Sequence, residues 1–352
     1  MKLINKKTKI AFSWNELPAY GAKLLKAGIE KINSDVTIVA TIPKVPIKGM
    51  EEILGQNVNW IGQDGIFSWK QIGLKVPDIF FQAGTYYVSS FKNLGDEVRE
   101  SGGKVVLLSD NSWKKSFRQI GGAFLFRLIF KKRFSCVWVP GESGEKLMSL
   151  FGFSKKQIYK GLYGSDDNSF KPGLSLEKRS KQFIFVGQLI SRKGIRTLIK
   201  AFKIFNINHP DWKISVFGDG KYRYLLENCP GVSLHSFAQP LAVANAMQQS
   251  RFIVLPSLVD HWPLVVSEAS LSGCGMILSN QVGNNTEFLN KKNGFIFPAK
   301  SVKDLSECLS KAALMSDQRL KEIYHESLRL GMLFTPKQWG NKFFNILSDL
   351  DS

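Results

Sequence analysis

The sequence predicts an α/β protein made of two doubly wound parallel-sheet domains. Short apolar strand candidates alternate with helical stretches along the whole chain, and the alternation restarts after a polar segment near the middle. A length of 352 residues also exceeds what one ordinary core accommodates.

The first series opens with strands expected at 9–13 and 36–40, flanking a helix over about residues 20–32, which is a βαβ unit. Further strands are expected at 78–82, 104–109 and 136–140. The segment 168–181 carries Pro172, Gly173 and several charges and reads as a linker, so residues 1–170 form one Rossmann-like domain and 171–335 a second. Strands at 183–187, 212–218, 232–236, 251–255, 275–279 and 294–297 build that second domain. In the last segment, 336–352, Trp339, Phe343, Phe344, Ile346 and Leu347 recur at helical spacing, and this helix is expected to cross back to the first domain.

Composition narrows the function classes. The formal charge of +19, from 48 Lys plus Arg against 29 Asp plus Glu, calls for an anionic partner or surface: nucleic acid, membrane or phosphorylated substrate, unless it is simply a soluble basic surface. No apolar run reaches membrane-spanning length, and the first seven residues lack the apolar core of a signal peptide, so a cytoplasmic location is expected. Cys136, Cys229, Cys274 and Cys308 show no paired spacing, which argues against a zinc site or a disulfide framework. No GxGxxG follows the first strand and no GxxxxGK[ST] occurs, which weakens dinucleotide and P-loop readings; the one carboxylate pair at DxD spacing, Asp349 and Asp351, sits in the tail, so no metal site is expected.

Two stretches carry chemistry. The strand at 251–255 runs into a short polar loop holding Asp260 and then a helix, with Pro263 suited to its first position and Glu268 further along. The uncapped amides of Leu264 and Val265 at that helix start favour a phosphate. The strand at 183–187 ends in Gly187 and leads through Arg192, Lys193 and Gly194 into another helix. Arg192 and Lys193 either grip a diphosphate or are solvated loop charges, and Asp260 is either a ligand for hydroxyl groups or a helix cap.

Taken together, the order strand-Gly187-Gln188-Leu189-x-x-Arg192-Lys193-Gly194, then Val216-Phe217-Gly218-Asp219-Gly220, then Leu255-Pro256-Ser257-x-x-Asp260-x-Trp262-Pro263-Leu264-Val265-Val266-x-Glu268-Ala269, then Ser272-Gly273, Glu287 and Asn293-Gly294 resembles the retaining family 4 glycosyltransferases of the GT-B type. A further likeness runs from Val137–Gly141 to Tyr163–Phe170, so that coverage extends from about Ser109 onward. The resemblance implies two Rossmann-like domains facing a central cleft and metal-independent transfer of a sugar from a nucleoside diphosphate donor, UDP- or GDP-linked, with retention. By position it implies that Arg192 and Lys193 bind the diphosphate with the amides of Leu264 and Val265, that Glu268 accepts the ribose hydroxyls, that Asp260 orients the sugar, and that Gly218 and the loop 237–239 line the nucleotide. No protein nucleophile is assigned, and His261 is read as an ordinary loop histidine. In the first domain, Gly21 marks a close backbone approach to phosphate or acceptor, and Asp110 ends a strand either near the transferred sugar or as a turn cap. Two departures stand out: Asp260 replaces a frequent glutamate, and Gln188 stands where many members carry arginine.

The segment Lys114 to Arg133 interleaves bulky apolar and cationic residues, either to rest on an anionic membrane beside a lipid-linked acceptor or to pack on its own sheet with a solvated basic face. The leading reading is extension of a cell-envelope polysaccharide or lipopolysaccharide at the inner face of the cytoplasmic membrane. A nucleotide-sugar epimerase of the same architecture is the alternative, and a nucleic-acid-binding protein is disfavoured because no recognition module is present.

Overall fold

The computed structural model describes residues 8–32, 34–44, 48–84, 90–113 and 117–351. The chain divides into two compact units, Met1–Gly164 with Pro336–Ser352, and Ser165–Thr335.

In unit 1 the elements run β1 (Ile10–Trp14), α1 (Ala19–Ile32), β2 (Val36–Thr41), α2 (Met50–Leu54), β3 (Asn59–Ile61), β4 (Ile79–Gln82), α3 (Lys92–Glu100), β5 (Lys104–Leu108), α4 (Phe117–Leu125), β6 (Cys136–Val139), α5 (Glu142–Leu150) and β7 (Ile158–Lys160). They form a seven-stranded parallel sheet of order β3-β2-β1-β4-β5-β6-β7. Its central strands are buried throughout, as covering both faces with helices requires.

Unit 2 contains β8 (Gln182–Val186), α6 (Ile195–Asn208), β9 (Lys213–Phe217), β10 (Val232–His235), α7 (Pro240–Gln249), β11 (Phe252–Leu255), α8 (Leu264–Leu271), β12 (Gly275–Ser279), α9 (Asn285–Phe288), β13 (Gly294–Phe297), α10 (Val302–Ala313) and α11 (Asp317–Gly331). Its six strands are parallel in the order β10-β9-β8-β11-β12-β13, the dinucleotide-fold order. The direction of winding reverses between β8 and β11. In such sheets ligands sit at that reversal, outside the carboxyl ends of the strands.

The last helix, α12 (Pro336–Asp351), packs on α1 within unit 1. Trp339 stacks on Trp138 at 4.7 Å between ring centroids and donates its indole N–H to the Leu162 carbonyl at 2.8 Å. Gly28 of α1 makes room for it, since a side chain there would run into Trp339 and Phe343.

Two expectations change. The polar segment 168–181 is not an extended linker: Phe170 and Leu176 are buried in unit 2, and the Arg179 guanidinium is buried too, donating to the carbonyls of Met247, Ser250 and Ser272. Polar composition there reflects a charge spent on helix and strand ends rather than on solvent. Pro263 precedes α8 at the N-cap, with φ −68° and ψ 111°, instead of occupying its first turn.

Candidate functional site

The loops after β8 and β11 are tied together by main chain. Leu258 N–H donates to the Arg192 carbonyl at 2.7 Å, and Gly194, at φ +72°, passes so close to the Pro256 carbonyl that any side chain would collide with it. The loop after β11 is fixed in turn on the β12 side, where Asp260 N–H donates to Gln281 (3.2 Å), Gly283 N–H donates to Asp260 (2.8 Å), and Ser279 Oγ donates to the Ser257 carbonyl (2.5 Å).

This framework brings the predicted charges together. Lys193 Nζ lies 2.5 Å from Asp260 Oδ2, with both side chains about nine-tenths buried, and Arg192 Nη1 reaches Asp260 Oδ1 at 3.7 Å with half its side chain in solvent. Ser257 Oγ adds a hydrogen bond at 3.3 Å to Asp260. A lysine is rarely buried unless paired. With a half-exposed arginine on the same carboxylate, the cluster keeps a net positive charge at the winding reversal, where an anionic ligand is expected in this topology.

Helix α8 starts immediately after this loop, and no side chain caps it. The amides of Leu264 and Val265 belong to its first turn and are oriented outward from the helix, as N-terminal amides are. Its entry is set by Asn284, fully buried, whose Nδ2 donates to the Pro263 carbonyl at 3.0 Å. Sequence reasoning missed Asn284, because its partner is a carbonyl two elements away. Glu268 is partly buried on the same helix, and burial pushes its carboxyl up to about 7. His261 is exposed.

Gly218 ends β9 at φ +145°, and a side chain there would strike the Gly187 carbonyl. The β8 and β9 loops therefore touch backbone to backbone. Asp219 holds the next loop, accepting from Arg223 Nη1 and from Phe237 N–H, both at 2.8 Å.

Unit 1 has its own recess at the reversal between β1 and β4, a cavity of about 350 Å³ lined by Trp14, Tyr20, Ser109, Asp110, Leu162 and Tyr163 among others. Asp110 is exposed at its edge. Tyr20 and Tyr163 meet edge to face at 6.3 Å, and burial with the nearby Asp110 charge raises both phenols, Tyr20 to about 12. Ser109 Oγ is buried in the cavity wall with no hydrogen-bond partner among the described residues. Gly21, at the start of α1, is buried, and a Cβ there would stand 3.0 Å from the Trp14 indole, so its smallness serves this packing.

Comparison with known proteins bears on this arrangement. Residues 166–327 match the family model described as Glycosyl transferases group 1. An exopolysaccharide phosphotransferase of Streptomyces coelicolor is 28% identical over 194 residues, covering 52% of this chain and 20% of that protein. A UDP-Gal:α-D-GlcNAc-diphosphoundecaprenol α-1,3-galactosyltransferase of Escherichia coli is 27% identical over 164 residues, 44% of this chain and 42% of that one. The chain thus spans less than half the length of these curated relatives. Among solved structures, Anabaena HepE in complex with UDP and glucose superimposes with a TM-score of 0.73 at 16% identity over 97% of this chain and 99% of that one. A glycosyltransferase from Rickettsia africae gives 0.77 at 12% identity over 98% and 99%. The fold is GT-B, two Rossmann-like parallel-sheet domains.

Proposed function

We propose that the protein is a retaining glycosyltransferase that moves a sugar from a nucleoside diphosphate donor, UDP- or GDP-linked, to a cell-envelope glycan or lipid-linked acceptor at the cytoplasmic membrane face. The observation that carries this reading is the buried Lys193–Asp260 pair, with Arg192 beside it, at the winding reversal of the second sheet and next to the open start of α8.

In this reading the donor diphosphate competes with Asp260 for the Lys193 ammonium. Arg192 and the amides of Leu264 and Val265 complete the anion site, and the released Asp260 carboxylate accepts hydrogen bonds from sugar hydroxyls. Glu268 accepts from the ribose. As the bond from anomeric carbon to phosphate oxygen breaks, negative charge grows on the leaving diphosphate, and these fixed donors stabilise it in place of a divalent cation. The acceptor hydroxyl attacks from the face the diphosphate leaves and gives its proton to a phosphate oxygen, which retains configuration. The cavity of unit 1, with Asp110, Ser109 and Tyr20, takes the acceptor.

A thermal-shift panel of UDP-, GDP-, ADP- and dTDP-sugars tests the reading. Selective stabilisation by one nucleotide, persisting in EDTA and lost in Glu268→Ala, supports it; indifference to the whole panel contradicts it.

A further inference from the structure

The amphipathic pattern of α4 is inverted with respect to the protein. Among the described side chains, the helix and the single π-helical turn that continues it, Phe126–Phe130, bury only Ala123 and Phe126. The opposite side carries Phe117, Ile120, Phe124, Leu125, Leu128 and Ile129, all at least half exposed and spaced at three, four or one residues so that they form one stripe. Phe117 is 91% exposed and Phe124 71%. The periodicity noted in the sequence is therefore that of a face turned to solvent, and a monomeric soluble protein rarely leaves so large a patch uncovered.

The chemistry around the stripe identifies its partner. Not one acidic residue occurs from position 111 to 141, and the stripe runs directly into Lys131, Lys132 and Arg133. Lys132 is exposed, whereas Arg133 is engaged with Asp96 at 3.4 Å and Arg127 with the Leu150 carbonyl at 2.9 Å. Lys114 and Lys115 lie outside the described residues. A protein partner is free to supply any chemistry, but apolar side chains that run into the exposed Lys132 and into Lys131, whose ammonium lies 6.0 Å over the Phe153 ring, on a chain of net charge +19, match an anionic lipid interface: acyl chains take the rings and headgroup phosphates take the ammonium groups. At fourteen residues, the helix and its π turn are too short to span a bilayer, and among the described residues no helix is long and apolar enough to do so.

We infer that the α4 stripe, Phe117 to Ile129, inserts into the surface of an anionic membrane with Lys131 and Lys132 at the headgroup level. This rests on and deepens the membrane-face part of the proposed function, but its test uses neither donor nor acceptor, so its failure is distinguishable from failure of the glycosyl-transfer reading.

The test is flotation of the full chain with phosphatidylcholine vesicles, with and without phosphatidylglycerol. The wild type floats with the anionic vesicles and progressively less as salt is raised. Phe124→Asp combined with Leu128→Asp lowers the partition constant more than tenfold, and because both positions are exposed the thermal midpoint is unchanged. Lys131→Gln and Lys132→Gln, which leave the apolar stripe intact, each weaken binding about fivefold. The inference is overturned if the wild type stays with the soluble fraction, if the variants float equally well, or if light scattering shows a lipid-free dimer that the same substitutions dissociate.

Discussion

Substituting Lys193 by methionine keeps most of the side chain's volume and removes only the ammonium, so it isolates the charge at the centre of the candidate site. The Asp260 carboxylate, 9% exposed, is then left with Arg192 at 3.7 Å and the Ser257 hydroxyl at 3.3 Å. An ion left wholly unpaired in such a place costs about 3–5 kcal/mol. With those two partners remaining, about 2 kcal/mol is expected, the lower part of the range for a lost charged hydrogen bond. For a unit of this size that is a fall of roughly 4–8 °C in the unfolding midpoint, measured by calorimetry. Nucleotide affinity, by titration calorimetry, should weaken by roughly 10–100-fold, one charge-assisted hydrogen bond to phosphate. Pairing the change with Asp260→Asn should restore part of the thermal stability but none of the affinity, because removing both charges leaves no buried ion. A Lys193→Met protein with an unchanged midpoint and undiminished nucleotide affinity would refute the reasoning.

Glu268 links stability to pH. Its folded carboxyl holds a proton up to about 7 against 4.5 unperturbed, so the folded state binds more protons between those values. The stabilisation is fully present below about 4.5 and is lost as pH rises through about 7, amounting to about 3 kcal/mol. Glu268→Gln should flatten this part of a denaturant-midpoint profile against pH. Gly218→Ala, whose methyl would meet the Gly187 carbonyl, should cost on the order of 3 kcal/mol in chemical denaturation and weaken nucleotide binding through displaced loops. Trp339→Ala removes a fully buried indole from unit 1 and should cost about 3–5 kcal/mol in chemical denaturation while leaving nucleotide affinity near wild type. Asp110→Asn should leave nucleotide affinity unchanged and lower the transfer rate at least tenfold, read by product formation under saturating donor.

Both sheets were legible because their central strands are short, mostly apolar runs, two of which stop at Gly187 and Pro256, the pattern that burial on two faces imposes. The edge strands β3 and β7 escaped. Each has three residues, partly exposed, too few to show a period. The meeting of Arg192, Lys193 and Asp260 in the candidate site was legible for a different reason: each lies in the loop that directly follows a strand, so local order in the sequence already fixes its place. The cavity of unit 1 was only partly so, since Tyr163 and Ser109 come to Trp14 and Tyr20 from separate strand ends, and nothing local marks a serine whose hydroxyl will lack a partner. The face of α4 could not be assigned either, because apolar residues recur with the same period whether they meet a sheet or solvent.

A crystal structure of the full chain with UDP or GDP, whichever stabilises it, tests the central claim most directly. The diphosphate is expected within hydrogen-bond reach of Lys193 Nζ and the amides of Leu264 and Val265, with the Lys193–Asp260 distance lengthened. A nucleotide bound elsewhere, with that ion pair still closed, would contradict it.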